Sequence, residues 1–83
     1  MKVLKFSASW CGPCKMLSKV IEGATDKITI PVEEIDIDEH SDIAMEYGVR
    51  GVPTMILLDE NNNEMKRKVG TMNETQLLEF LKG

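Results

Sequence analysis

The chain has 83 residues, 42% of them hydrophobic, a formal net charge of −4 and only two cysteines. That length accommodates one modest core, expected as a single domain over residues 1–83, and the apolar share excludes a disordered chain. The acidic balance argues against nucleic acid or an anionic membrane as partner, and no apolar run approaches the length of a membrane span.

In chain order the pattern predicts β-α-β-α-β-β-α, an α/β chain. Val3 to Ala8 reads as a short apolar strand of the kind buried in a parallel sheet. From Pro13 to about Asp26, Met16, Leu17, Val20, Ile21 and Ala24 fall on one face of a helix. Pro31 opens a second strand running to Ile37. Ser41 is placed to cap a short helix ending near Tyr47, with Gly48 as its stop. Thr54 to Leu58 is β-branched and apolar, Asp59 to Asn63 reads as a hairpin turn, and Glu64 to Val69 returns. Asn73, with Gln76 three residues on, is expected to cap a last helix whose core face is Leu77, Phe80 and Leu81. The six methionines are expected to be core filler. Nothing in Met1 to Phe6 resembles a signal-peptide core, which predicts a cytoplasmic protein with a reduced dithiol at rest.

The sharpest feature is Trp10-Cys11-Gly12-Pro13-Cys14, directly after the first strand. A disulfide between i and i+3 closes so small a loop that it stabilises the fold by only about 2 kcal/mol. Such a bond is better suited to being made and broken than to stapling. A helix starting near Gly12 would put Cys11 against unpaired N–H groups and the positive end of the dipole, favouring its thiolate. Pro13 suits a first helical turn, where no N–H is needed. The expected roles are an exposed attacking thiol, Cys11, and a shielded resolving thiol, Cys14. A zinc site needs two more ligands, and His40 is the only histidine, so no metal is expected.

With that motif at the first strand-helix junction, the chain resembles the thioredoxin family over nearly its whole length. The resemblance extends to Lys15-Met16, to Ile35-Asp36-Ile37-Asp38, to Tyr47 through Thr54 with Gly51-Val52-Pro53-Thr54, to Lys68-Val69-Gly70 and to Leu77 through Leu81. It implies a thioredoxin-like minimal fold: a four-stranded mixed sheet in the order 2-1-3-4, flanked by helices, with the second strand at an edge. It also implies that Cys11 and Cys14 are catalytic and that the Val52–Pro53 bond is cis. Trp10, Gly12, Pro13, Gly51, Val52, Pro53 and Gly70 match the family's substrate-receiving surface. The implied function is reduction of protein disulfides by a monomer with no bound cofactor. Electrons would come from an external donor, a thioredoxin reductase drawing on NADPH, with glutathione as the other possible source. Two rival readings are a glutaredoxin-like, glutathione-dependent reductase and a non-catalytic binding clamp.

The chain departs from the family in places. The strand and helix that usually precede the active-site strand are missing. Ser7 stands where a second tryptophan is common, and Lys19 where a helix-kinking proline is common. Six residues before the first cysteine the family usually carries a buried aspartate; here that position is Lys5, and Glu34 occupies the place of a nearby lysine. The two changes together read as a charge reversal, and they make Lys5 and Glu34 the candidates for proton transfer, expected side by side beneath the cysteines.

Overall fold

A computed structural model describes residues 1–82. Its elements are β1 (Lys2–Ser7), α1 (Gly12–Gly23), β2 (Val32–Asp36), α2 (Ser41–Glu46), β3 (Thr54–Leu58), β4 (Glu64–Val69) and α3 (Glu74–Phe80), with a 3-10 turn at Thr25–Lys27 after α1. The strands form one sheet in the order β2-β1-β3-β4. β1 pairs parallel with β2, and β3 runs antiparallel to both β1 and β4. The predicted class, topology and strand order are those observed.

Alternation along the central strands sorts the core into two layers. Val3, Met55 and Leu57 face α1 and α3, where they pack with Leu17, Met72, Leu77 and Phe80. Leu4, Phe6, Ile35, Ile56 and Leu58 face the other way, toward Ala44 of α2. β1 and β3 are buried almost throughout because each has a neighbour on both sides and helices on both faces. β2 and β4 are the edges and carry the exposed charges.

Local chemistry sets most of the element ends. Asn73 and Gln76 form a reciprocal capping box at the start of α3. Gly48, at φ +65°, ends α2; its N–H donates to the Met45 carbonyl and that of Val49 to the Ala44 carbonyl, which satisfies two terminal carbonyls at once. In the β3–β4 hairpin the Asp59 carboxylate accepts the N–H groups of Asn61 (2.8 Å) and Asn63 (2.9 Å), and Asn62 takes a positive φ.

Three expectations need correction. α1 stops at Gly23, short of Asp26: the Thr25 hydroxyl donates to the Ile21 and Glu22 carbonyls and ends the regular ladder. Ser41 is the first residue of α2, not its cap; His40 takes the cap position without a side-chain hydrogen bond. The methionines are not mainly core filler. Met55 and Met72 are buried, whereas Met1, Met16, Met45 and Met65 are exposed.

Candidate functional site

β1 ends at Ser7, and the turn that follows delivers Cys11 to the cap position of α1. Cys11 has extended backbone angles, and its Sγ accepts the N–H of Cys14 at 3.1 Å. A sulfur therefore does the work usually given to a serine or aspartate oxygen at a helix start. No acidic residue stands in the first turn to compete with it for the positive helix end. Pro13 lies within that turn, where its lack of an N–H leaves no hydrogen bond unmade. A disulfide joins Cys11 to Cys14, with Cα atoms 5.3 Å apart.

The two sulfurs do not differ in exposure as expected. Cys11 is 3% exposed and Cys14 2%. Both pack with Ala8, and Ile37 and Val52 close over the group from the end of β2 and from the loop before β3. What separates the two thiols is position on the helix: one caps it, the other lies inside its first turn.

The remaining candidates fall into three settings. Trp10 is 67% exposed and donates its indole N–H to the Asp38 carboxylate at 3.0 Å. Gly12, Pro13 and Gly51 are exposed, and Val52 and Gly70 are half-buried. Pro53 is fully buried, its peptide bond with Val52 is cis, and its carbonyl accepts the Gly70 N–H at 2.8 Å. Gly70 has φ +97°, a conformation that side chains rarely tolerate. Val52 thus meets the disulfide directly, and Gly70 is tied to the same corner through Pro53.

Below the cysteines Lys5 pairs in register with Glu34 across β1 and β2. The ammonium of Lys5 lies 3.7 Å from one carboxylate oxygen of Glu34 and donates to the hydroxyl of Ser18. The other Glu34 oxygen accepts the Ser7 hydroxyl at 2.9 Å. Sequence reasoning did not single out Ser18 or Asp38. Ser18 lies four residues after Cys14 on the same helix, a local signal that could have found it. Asp38 is 28 residues from Trp10 in sequence, and that pairing has no local signature. Among the described residues no group of three His, Cys, Asp or Glu side chains is placed to hold a metal ion.

A disulfide at a helix start, beside an exposed indole and a cis-proline corner, on a minimal mixed α/β sheet, defines a protein built for thiol-disulfide chemistry. The family model described as Thioredoxin matches residues 1–83. The thioredoxin of Pseudomonas aeruginosa is 42% identical over 81 residues, a match covering 95% of this chain and 74% of that protein. The mitochondrial thioredoxin of Bos taurus is 40% identical over 82 residues, 96% of this chain but only 49% of that protein. This chain thus spans about half the length of its mitochondrial relative. A mutant thioredoxin from Halobacterium salinarum superposes with a TM-score of 0.87 at 38% identity, covering 96% of this chain and 70% of that one. A thioredoxin from Nicotiana alata gives a TM-score of 0.84 at 42% identity with the same coverage. The chain belongs to the thioredoxin family.

Proposed function

We propose that this chain is a thiol-disulfide oxidoreductase that reduces protein disulfides by cycling Cys11 and Cys14 between dithiol and disulfide. The observation that carries the reading is the capping of α1 by Cys11 Sγ. The acceptor that serves a helix start as a neutral sulfur serves it better as an anion, so the cap favours the thiolate that attacks. Cys11 attacks a substrate disulfide, and one substrate sulfur leaves as a thiolate. Cys14 then attacks Cys11 Sγ in the mixed disulfide, the second substrate sulfur leaves, and the Cys11–Cys14 bond closes. Two electrons pass to the substrate, and no bound cofactor takes part.

The substrate surface in this reading is Trp10, Gly12, Pro13, Gly51, Val52 and Gly70, with Pro53 supporting it from beneath. Its exposed members surround sulfurs that are themselves covered. A thioredoxin-reductase-like donor returns the disulfide to dithiol, and the protein works as a single-domain monomer in the cytoplasm, where thiols are held reduced.

The test is turnover of a protein disulfide, supplied separately by NADPH with thioredoxin reductase and by glutathione with its reductase. Turnover with the first supply, abolished in Cys11→Ser, is the expected result. Cys14→Ser should accumulate a stable mixed disulfide at Cys11. Alkylation of the reduced protein near neutral pH should label Cys11 before Cys14, and the reverse order would overturn the roles.

A further inference from the structure

Lys5 is a buried charge that the exchange steps above leave without a task. Its side chain is 3% exposed, in the middle of β1 on the face that also carries Val3 and Ser7. Ser18 holds its ammonium from α1 and Glu34 holds it from β2. The Glu34 side chain is 62% exposed, so a run of polar groups starts inside the protein and ends in water. Ser18 and Cys14, four residues apart, leave α1 on the same face. Both line a cavity of about 290 Å³ together with Lys5, Ser7 and Glu34. That volume has room for several water molecules, and its walls offer them polar partners.

The other charges on the cavity are Lys15 from α1 and Asp36 from β2. One Asp36 oxygen already accepts the N–H groups of Asp38 and Glu39. From β3 the residue opposite Lys5 is Met55, which brings no charge. Glu34 is thus the carboxylate bonded to the cavity's buried cation and open to solvent.

We propose that Lys5 and Glu34, held by Ser18 and Ser7, handle the proton of Cys14 in the release step. This rests on the disulfide-reductase reading and extends it. The Cys14 thiol gives its proton through cavity water to the Glu34 carboxylate, which passes it to solvent. The Lys5 ammonium favours the thiolate left behind. That thiolate attacks Cys11 Sγ; the Cys11–Cys14 bond forms as the Cys11–substrate bond breaks, and the departing thiolate takes a proton from solvent. Lys5 is a positioning residue and Glu34 the proton acceptor.

Stopped-flow reaction of the reduced protein with Ellman's reagent separates the steps. A phase that scales with reagent concentration reports attack by Cys11, and a reagent-independent phase reports release by Cys14. Lys5→Met is expected to move the pH midpoint of the release phase upward by about one unit and to slow it about tenfold at pH 7 relative to the attack phase. Lys5→Arg should recover most of that loss. Glu34→Gln, altered at an exposed side chain that keeps the fold, should slow release about tenfold, with added formate or imidazole restoring the rate. If Lys5→Met does not fold, the Glu34→Gln rate and its rescue decide the matter. Wild-type midpoints and rates in folded variants would overturn the proposal while leaving the reductase reading intact. Absence of an attack phase in the wild-type protein would overturn both.

Discussion

The indole nitrogen of Trp10 lies 3.0 Å from the Asp38 carboxylate, tying the residue before the first cysteine to the turn that follows β2. The ring is 67% exposed, so burial does little to orient it and the hydrogen bond does much. The same turn carries Ile37, which packs on the disulfide. Removing the acceptor with Asp38→Ala should free the ring and loosen one wall of the site. Tryptophan anisotropy should fall, and disulfide reduction should slow about threefold, the worth of one exposed charge-assisted hydrogen bond. In the wild-type protein, reducing the disulfide should change Trp10 emission, and the change should shrink in Asp38→Ala. Unchanged anisotropy in the variant would show that something other than Asp38 holds the ring.

At the other end of the chain, Asn73 Oδ1 accepts the Gln76 N–H at 2.8 Å while Gln76 Oε1 accepts the Asn73 N–H at 3.0 Å. α3 supplies Leu77 and Phe80 to the core, so its first turn bears on the stability of the whole sheet-helix layer. Asn73→Ala should cost about 1 kcal/mol in urea unfolding and lower the melting temperature by about 4–8 °C. Cys11 alkylation should be unaffected, since the site lies elsewhere.

Two carboxylates of the β3–β4 hairpin predict a pH dependence. Backbone N–H groups, first that of Asn63 and then that of Asn61, hold Asp59 below its ordinary pKa. The Arg67 guanidinium does the same for Glu64, and Arg67 also donates to the Tyr47 carbonyl at 2.7 Å. A carboxylate with a lowered folded pKa stabilises the fold above its unfolded value of about 4 and loses that contribution as pH falls through the folded value. Asp59→Ala should therefore be less stable than the wild-type protein near neutrality, with the gap closing as the pH drops below about 4. Thermal unfolding from pH 2 to 7 measures it. A gap that persisted at pH 2 would mean that the charge on Asp59 plays no part.

Features set within a few residues were readable from sequence. The capping box is local at i and i+3, the Gly48 stop is a single residue, and β3 and β4 are marked by runs bounded by turn residues. The sheet order followed from the family resemblance, and the Lys5–Glu34 contact from that order. What escaped depended on partners far along the chain. Cys11 is buried because Ile37 and Val52 reach it from other segments, and neither leaves a mark near the motif. The end of α1 turned on which carbonyls the Thr25 hydroxyl would take. A methionine count says nothing of which face each one occupies, and here most face outward. Ser41 looked like a cap by residue type, yet the turn held by the Asp36 carboxylate brings His40 to that position instead.

Because one sulfur is both the cap of α1 and the proposed nucleophile, the helix and the thiol draw on a single free energy. Whatever α1 contributes to keeping Cys11 ionised, the anion returns to α1 as helical order, since linkage of this kind is reciprocal. Neutralising that sulfur, by a proton or by a bond to another sulfur, withdraws the same amount from the first turn. The amide of Cys14, whose hydrogen the sulfur accepts, is thereby a natural gauge of the state of its neighbour. Its exchange with solvent deuterium should slow when Cys11 is an anion and quicken when it is not, so that the backbone registers each stage of the cycle.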